Sequence, residues 1–210
     1  MGDNVLPDIF SYVVMTTCHQ QDTTGVIVQQ PLPKQYAKAV TFIDSNKDVD
    51  CLNPTSLAKL YMGEDGLYPA TPLAVLRLLD YYGIDLQGKH VVIVGRGNAV
   101  GKPLALMALQ RNATVTVCHT KTVDLPNICR SADVLVSACG VAGLITKDFV
   151  NPNSIVVDVG LSFVDGKTCG DVSAEVYDVV AAVSPVPGGV GPVTRAVLFE
   201  NLCKASVNPK

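Results

Sequence analysis

Residues 89–103, KHVVIVGRGNAVGKP, constrain the fold more than any other part of the chain. HVVIVG is a short β-branched apolar run closed by Gly95, the pattern of a strand buried on both faces. Gly97 and Gly101 follow, and Lys102-Pro103 stands near the first turn of a helix expected over residues 99–111. Four more apolar runs come after it: ATVTVCH, DVLVSACG, SIVVDVG and DVVAAVSP. Strands that alternate with helical linkers predict an α/β fold, a doubly wound parallel sheet of Rossmann-like type.

The flanking segments suggest how this sheet is connected. In TPLAVLRLLDYYG, Thr71 reads as a cap and Pro72 as a first-turn residue. Val75, Leu76, Leu78, Leu79 and Tyr82 form an apolar face, and Gly83 is the stop. Residues 192–206 read as a further helix, with Val197, Leu198, Leu202 and Ala205 placed to pack back onto the N-terminal part. Residues 1–24 show no period, and no element is assigned there. The expected division is therefore a domain over 1–70, with helix 192–206 returning to it, and a sheet domain with its connecting helix over 71–191.

Composition closes several other routes. Sixteen basic residues against 19 acidic ones give −3, which argues against nucleic-acid binding by bulk charge. No apolar run approaches the ~20 residues of a membrane-spanning helix. The opening MGDNVLPDIF lacks the basic and apolar regions of a signal peptide, and Leu6 stands where myristoylation favours Ser or Thr. Seven cysteines without a C-x-x-C pair point to reduced thiols, mostly in the core, in a cytoplasmic compartment. Three histidines in no zinc-ligand spacing give no metal site; His19 and His90 read as structural or exposed.

The glycine turn carries chemistry. Gly95, Gly97 and Gly101 at a strand–helix junction let backbone amides approach a pyrophosphate at the helix's positive end. Their spacing is one residue longer than the usual dinucleotide fingerprint. At the end of the second strand an NAD site would place an acid for the ribose hydroxyls. Here the chain reads Cys118-His119-Thr120-Lys121-Thr122, with no acid before Asp124. Arg96 and Lys121, with two threonine hydroxyls, suit a dianionic 2′-phosphate, so NADP is favoured. Lys121 also reads as a solvated loop charge, and His119 as an accessory to phosphate binding.

Four further segments stand in order around that turn: GVIVQQPLP (25–33), KDVDCLNP (47–54), YPATPLAV (68–75) and PVPGGVGPVT (185–194). Together they resemble the bifunctional methylenetetrahydrofolate dehydrogenase/methenyltetrahydrofolate cyclohydrolase family. The resemblance implies NADP-dependent oxidation of 5,10-methylenetetrahydrofolate to the methenyl form, then ring opening to 10-formyltetrahydrofolate. It implies tetrahydrofolate derivatives as substrates, a homodimer, and a partial folate-binding and catalytic domain over 1–70. Gln29 matches the family's active-site glutamine and Asp50 the carboxylate that holds the pterin ring; Asp50 also reads as a cap or turn carboxylate. Gly95, Arg96 and Gly97 match the cofactor turn, Thr120 a 2′-phosphate ligand and Leu161 a backbone contact to the cofactor. Pro187, Gly188, Gly189 and Pro192 match the folate-side loop, expected to be rigid and to close over a ligand.

The departures bear on activity. The family's Tyr-x-x-x-Lys, whose lysine serves the cyclohydrolase step, has no counterpart: Tyr12 is followed at the lysine's offset by Thr16. Lys34, Lys38 and Lys47 read as solvated charges. Cys51 replaces a glycine, Asn53 a histidine, Ala70 a cysteine and Gly97 a serine. A competing expectation is a catalytically degenerate NADP- and folate-binding homologue or partner subunit. The absent lysine favours that reading, whereas Gln29 and the PVPGGVGP loop favour the enzyme.

Overall fold

The computed structural model describes residues 5–207, which divide into two units. One comprises residues up to Ala70 together with those from Ala196 onward; the other runs from Thr71 to Arg195.

The second unit is built on five parallel strands in the order β2-β1-β3-β4-β7. These are β1 (His90–Val94), β2 (Thr114–Cys118), β3 (Val134–Ser137), β4 (Ile155–Asp158) and β7 (Ala182–Val183). All of β3 is buried, as is β1 beyond His90, because β-branched side chains fill both faces. Helix α4 (Gly101–Gln110) connects β1 to β2, and the short α5 (Leu125–Arg130) connects β2 to β3. Strand order reverses beside β1, whose neighbours are β2 and β3, so the crevice at their carboxyl ends is the topological switch point. An antiparallel hairpin, β5 (Ser162–Val164) with β6 (Lys167–Cys169), follows β4. Val92, Val94, Cys118, Leu135, Ile145, Val156 and Val176 form one continuous core.

Helix α3 (Ala70–Tyr81) departs from expectation at both ends. Thr71 is its second residue and not its cap. Tyr82 lies outside it, 68% exposed and edge-to-face with Tyr81, because Leu73, Ala74, Val75, Leu76 and Leu79 already supply the buried face. Gly83 ends the helix with φ +68°, while the Ile84 N–H bonds back to the Leu79 carbonyl. An Arg111–Asp80 ion pair ties α4 to α3.

The first unit contains α1 (Pro7–His19), a 3₁₀ segment (Lys34–Phe42), α2 (Pro54–Met62) and the later part of α6 (Val190–Val207). Helix α1 lies where no element was expected. Only Val14 and Cys18 are buried on it, four residues apart, while Ile9 and Tyr12 face outward, so its apolar stripe is faint in sequence. Val14, Cys18, Val28, Ala39 and Ile43 make the unit's core. Lys47 is not a solvated charge: its Nζ donates to the carbonyls of Cys18 (2.7 Å) and Gln20 (2.8 Å), closing the carbonyl end of α1. Asn53 caps α2 by accepting from the Thr55 N–H at 2.7 Å, with Pro54 in the first turn and Gly63 left-handed at the end.

Helix α6 starts at Val190, not at residue 192, so the second half of PVPGGVGP is its first turn. There Pro192's missing N–H costs no intrahelical bond. Asn201, wholly buried on α6, donates from Nδ2 to the carbonyls of Val49 and Tyr68, both at 2.8 Å. Asn201→Leu strands both acceptors and is expected to cost about 2–4 kcal/mol. Urea unfolding of the two proteins side by side measures that loss.

Candidate functional site

In the sheet unit, the site begins where β1 runs out. Gly95 has φ +122°, and a Cβ there would collide with the Ala138 carbonyl; a Cβ on Gly101 would collide with the carbonyl of Gly95. The turn therefore needs glycine at both positions, the first for conformation and both for close backbone approach. Gly97 faces open space, with room for the family's serine. The Lys102 N–H bonds to the Gly97 carbonyl as α4 starts, so the helix's first turn faces this crevice.

Val94 pairs in register with Cys118, so the residues after β1 and β2 emerge side by side. Arg96 leaves one strand end, and Thr120 and Lys121 leave the other; all three are exposed. The loop after β2 is held by the His119 N–H donating to Thr122 Oγ1 (2.8 Å) and the Lys121 N–H donating to His119 Nδ1 (3.1 Å). His119 thus shapes the loop through both its backbone N–H and its ring. Asp124 is turned into the α5 entry, where it accepts from Asn127. Backbone donors, three glycines and two cations, with no acid in residues 118–123, fit a dinucleotide with an extra phosphate.

On the other side of β1, Leu161 follows β4 and Gly160 and is 65% exposed. Pro187 and Gly188 are exposed, while Gly189 is buried in a turn closed by its N–H on the Pro185 carbonyl. Gly188 and Gly189, with Pro185, border a cavity of about 660 Å³ along β4 and β7, lined mostly by apolar groups such as Leu78, Ile84 and Val183. Its lining does not include the glycine turn or Arg96, so the phosphate chemistry lies elsewhere.

In the first unit, Val26 and Asp48 form a parallel bridge, which sets the segment leading to Gln29 beside the one leading to Asp50. Gln29 is exposed and donates to the Gln30 carbonyl at 3.0 Å. The two acids of KDVD divide the work. Asp48 is fully buried and accepts from the N–H groups of Leu52 and Asn53 and from Ser56 Oγ, a structural role. Asp50 is only half-buried and accepts one long bond, 3.3 Å, from the Ala70 N–H. Burial pushes its carboxyl up to about 6; the Ala70 bond opposes this and the nearby Asp48 charge adds to it. Asp50 thus keeps open acceptor capacity. Cys51 beside it has φ +57°, a left-handed position that explains the glycine usual there.

Sequence reasoning missed two wholly buried carboxylates that build the β3 and β4 loops. Asp158 accepts from the N–H groups of Gly160, Asp171 and Val172, and Asp171 from five donors in residues 137–141. Their signal was faint, an acid two residues before glycine in DVG and one directly after glycine in GDV. Among the described residues no group of three or more His, Cys, Asp or Glu is placed to hold a metal, and no helix is long and apolar enough to cross a membrane.

Residues 69–209 match the NAD(P)-binding domain of tetrahydrofolate dehydrogenase/cyclohydrolase. The bifunctional protein FolD of Clostridium botulinum is 43% identical over 98% of this chain and 75% of its own length. The crystal structure of the bifunctional FolD enzyme from Campylobacter jejuni superposes with a TM-score of 0.91 at 41% identity, over 97% of this chain and 74% of that one. That of the Trypanosoma brucei dehydrogenase-cyclohydrolase, complexed with NADP and an inhibitor, gives 0.89 at 34% identity, over 98% and 75%. Likeness at these identities covers both units as well as the glycine turn. The chain belongs to the tetrahydrofolate dehydrogenase/cyclohydrolase family.

Proposed function

We propose that this chain oxidises 5,10-methylenetetrahydrofolate with NADP, the first of the two reactions that give its bifunctional relatives their name. The observation that carries the reading is the β1–α4 turn. Gly95 and Gly101 there leave no room for side chains, while Arg96, Thr120 and Lys121 emerge from adjacent strand ends, and the first acid after β2, Asp124, accepts from Asn127. When bound, the nicotinamide ring supplies the acceptor for the hydride that leaves the folate's one-carbon bridge.

The chain's own residues bind and orient. The first-turn N–H groups of α4 face the pyrophosphate, and the Arg96 guanidinium and Thr120 hydroxyl take the 2′-phosphate, with Lys121 adding charge. Leu161 offers its backbone to the cofactor. Asp50 accepts from the amino-pyrimidine edge of the pterin through two oxygens, one of which is engaged only by the long Ala70 bond. Gln29 orients the reacting carbon, and Pro187, Gly188, Gly189 and Pro192 form the folate-side surface. Holding two rings at reaction distance is most of what hydride transfer requires. Seven unpaired cysteines fit a reducing cytoplasmic setting. The family resemblance supports a homodimer, which sedimentation would register as twice 22.2 kDa.

Steady-state formation of NADPH from methylenetetrahydrofolate tests the reading. NADP is expected to outcompete NAD, and Arg96→Ala to weaken NADP alone by about 10- to 100-fold through loss of a charge-assisted phosphate contact. Equal affinity of the unmodified protein for NADP and NAD would refute the assignment of Arg96, Thr120 and Lys121.

A further inference from the structure

The strand order gives the cofactor crevice a direction. Arg96, Thr120 and Lys121 lie toward β2, so the adenosine half of a dinucleotide takes that side of the Gly95 turn. The half beyond the pyrophosphate must then run over the carboxyl ends of β3 and β4. Its walls are residues 137–141, which begin at the last residue of β3, and residues 160–162 after β4.

A single carboxylate holds the first wall in shape. Asp171, fully buried, accepts through Oδ2 from Ser137 Oγ (2.9 Å), the Cys139 N–H (2.9 Å), the Cys139 thiol (3.2 Å) and the Gly140 N–H (3.2 Å). Its Oδ1 accepts from the Val141 N–H at 2.8 Å. Successive backbone N–H groups turned onto one anion make a nest, here filled by the protein's own side chain. Burial pushes the Cys139 thiol up to about 11, which keeps it protonated as a donor.

The anchor is itself anchored. Asp158, at the end of β4, accepts from the N–H groups of Asp171 (3.0 Å) and Val172 (2.9 Å). A side chain on Gly160 would collide with the Asp171 carboxylate, and one on Gly170 with that of Asp158. The ordered wall meets the rest of the crevice at two places. Ala138 packs against Gly95 of the phosphate turn, and the Gly140 carbonyl accepts from Ser162 Oγ (3.2 Å), next to Leu161.

We propose that Asp171 is a positioning residue that shapes the crevice over β3 and β4, and so sets affinity for the part of the cofactor beyond its pyrophosphate. The proposal rests on the NADP reading above. Its signature is selectivity between a whole dinucleotide and its adenosine half, which a merely structural role would not produce.

The test measures dissociation constants of NADP and of 2′,5′-ADP, the 2′-phosphorylated adenosine fragment, for the unmodified chain, Asp171→Asn and Ser137→Ala. Asp171→Asn turns an amide donor toward converging donors and is expected to weaken NADP at least ~10-fold while leaving 2′,5′-ADP within about twofold. Ser137→Ala removes one donor and keeps the carboxylate; about threefold on NADP and none on the fragment is expected. If Asp171→Asn does not fold, Ser137→Ala and Cys139→Ala decide the matter by the same ratio. Parallel losses on both ligands, or no loss on NADP, overturn the inference while leaving the NADP reading intact. An unmodified chain that binds neither compound overturns both.

Discussion

Asp50→Asn is expected to weaken tetrahydrofolate binding by about 10- to 100-fold near neutral pH, the worth of a charge-assisted bidentate contact, and to leave NADP affinity unchanged. The pH dependence gives the test its resolution. Only the ionised carboxyl accepts from both donors of an amino-pyrimidine edge, and the Asp50 carboxyl sits at about 6. Folate affinity should therefore be level above neutrality and fall about tenfold per pH unit well below that value, with the Asn variant flat throughout. Binding near that pH should also release protons, which calorimetry in buffers of different ionisation enthalpy detects.

Stability moves the other way and separates recognition from capping. A carboxyl whose folded value lies above its unfolded one favours the fold at low pH, and that contribution is lost as pH rises through the folded value. Here the window runs from the ordinary aspartate value of 3.8 up to about 6. Asp50→Asn removes the burden of a buried charge but keeps an oxygen for the Ala70 N–H, so its Tm at neutral pH should equal or exceed that of the unmodified protein. A marked fall in Tm would mean that Asp50 serves the α3 start instead.

The sequence was most legible where one residue's role is decided by its neighbours in the chain. The runs HVVIV and VLVS could hardly be anything but buried strands, and Gly95 and Gly101 mark their turn by position alone. Roles set by distant partners were not legible. Lys47 looks solvated until the carbonyls of Cys18 and Gln20, 29 and 27 residues upstream, are seen to surround its Nζ. Asp171 draws its donors from residues 30 to 34 positions earlier, and nothing near it in the chain announces them. In KDVD the spacing cannot say which acid is structural; burial of Asp48 among three donors decides it. Helix α1 was hidden because only Val14 and Cys18 of its residues are buried, too few to mark an apolar stripe.

Assayed as these 210 residues, the chain should form NADPH from methylenetetrahydrofolate yet hydrolyse methenyltetrahydrofolate at close to the spontaneous rate. Hydrolysis needs a group that moves protons at the leaving nitrogen and the attacking water, and losing one typically costs 10²–10⁴-fold. No residue described in the first unit is free for that work at the expected position. Thr16, at the lysine's offset from Tyr12, turns its hydroxyl back onto the helix carbonyls of Tyr12 (2.9 Å) and Val13 (3.1 Å). Lys47 is committed to the end of α1, and Lys38 lies over the Phe42 ring at 6.0 Å. Gln29 does not titrate and can only orient. Hydride transfer asks for less, since on the proposed assignment the glycine turn, Leu161 and residues 187–192 have only to bind and orient. The measurement follows methenyltetrahydrofolate disappearance with and without the protein at neutral pH, beside NADPH formation in the same preparation. Hydrolysis that is strongly accelerated, and stays so in Gln29→Ala, would show that a proton-transfer group other than the family's lysine does this work.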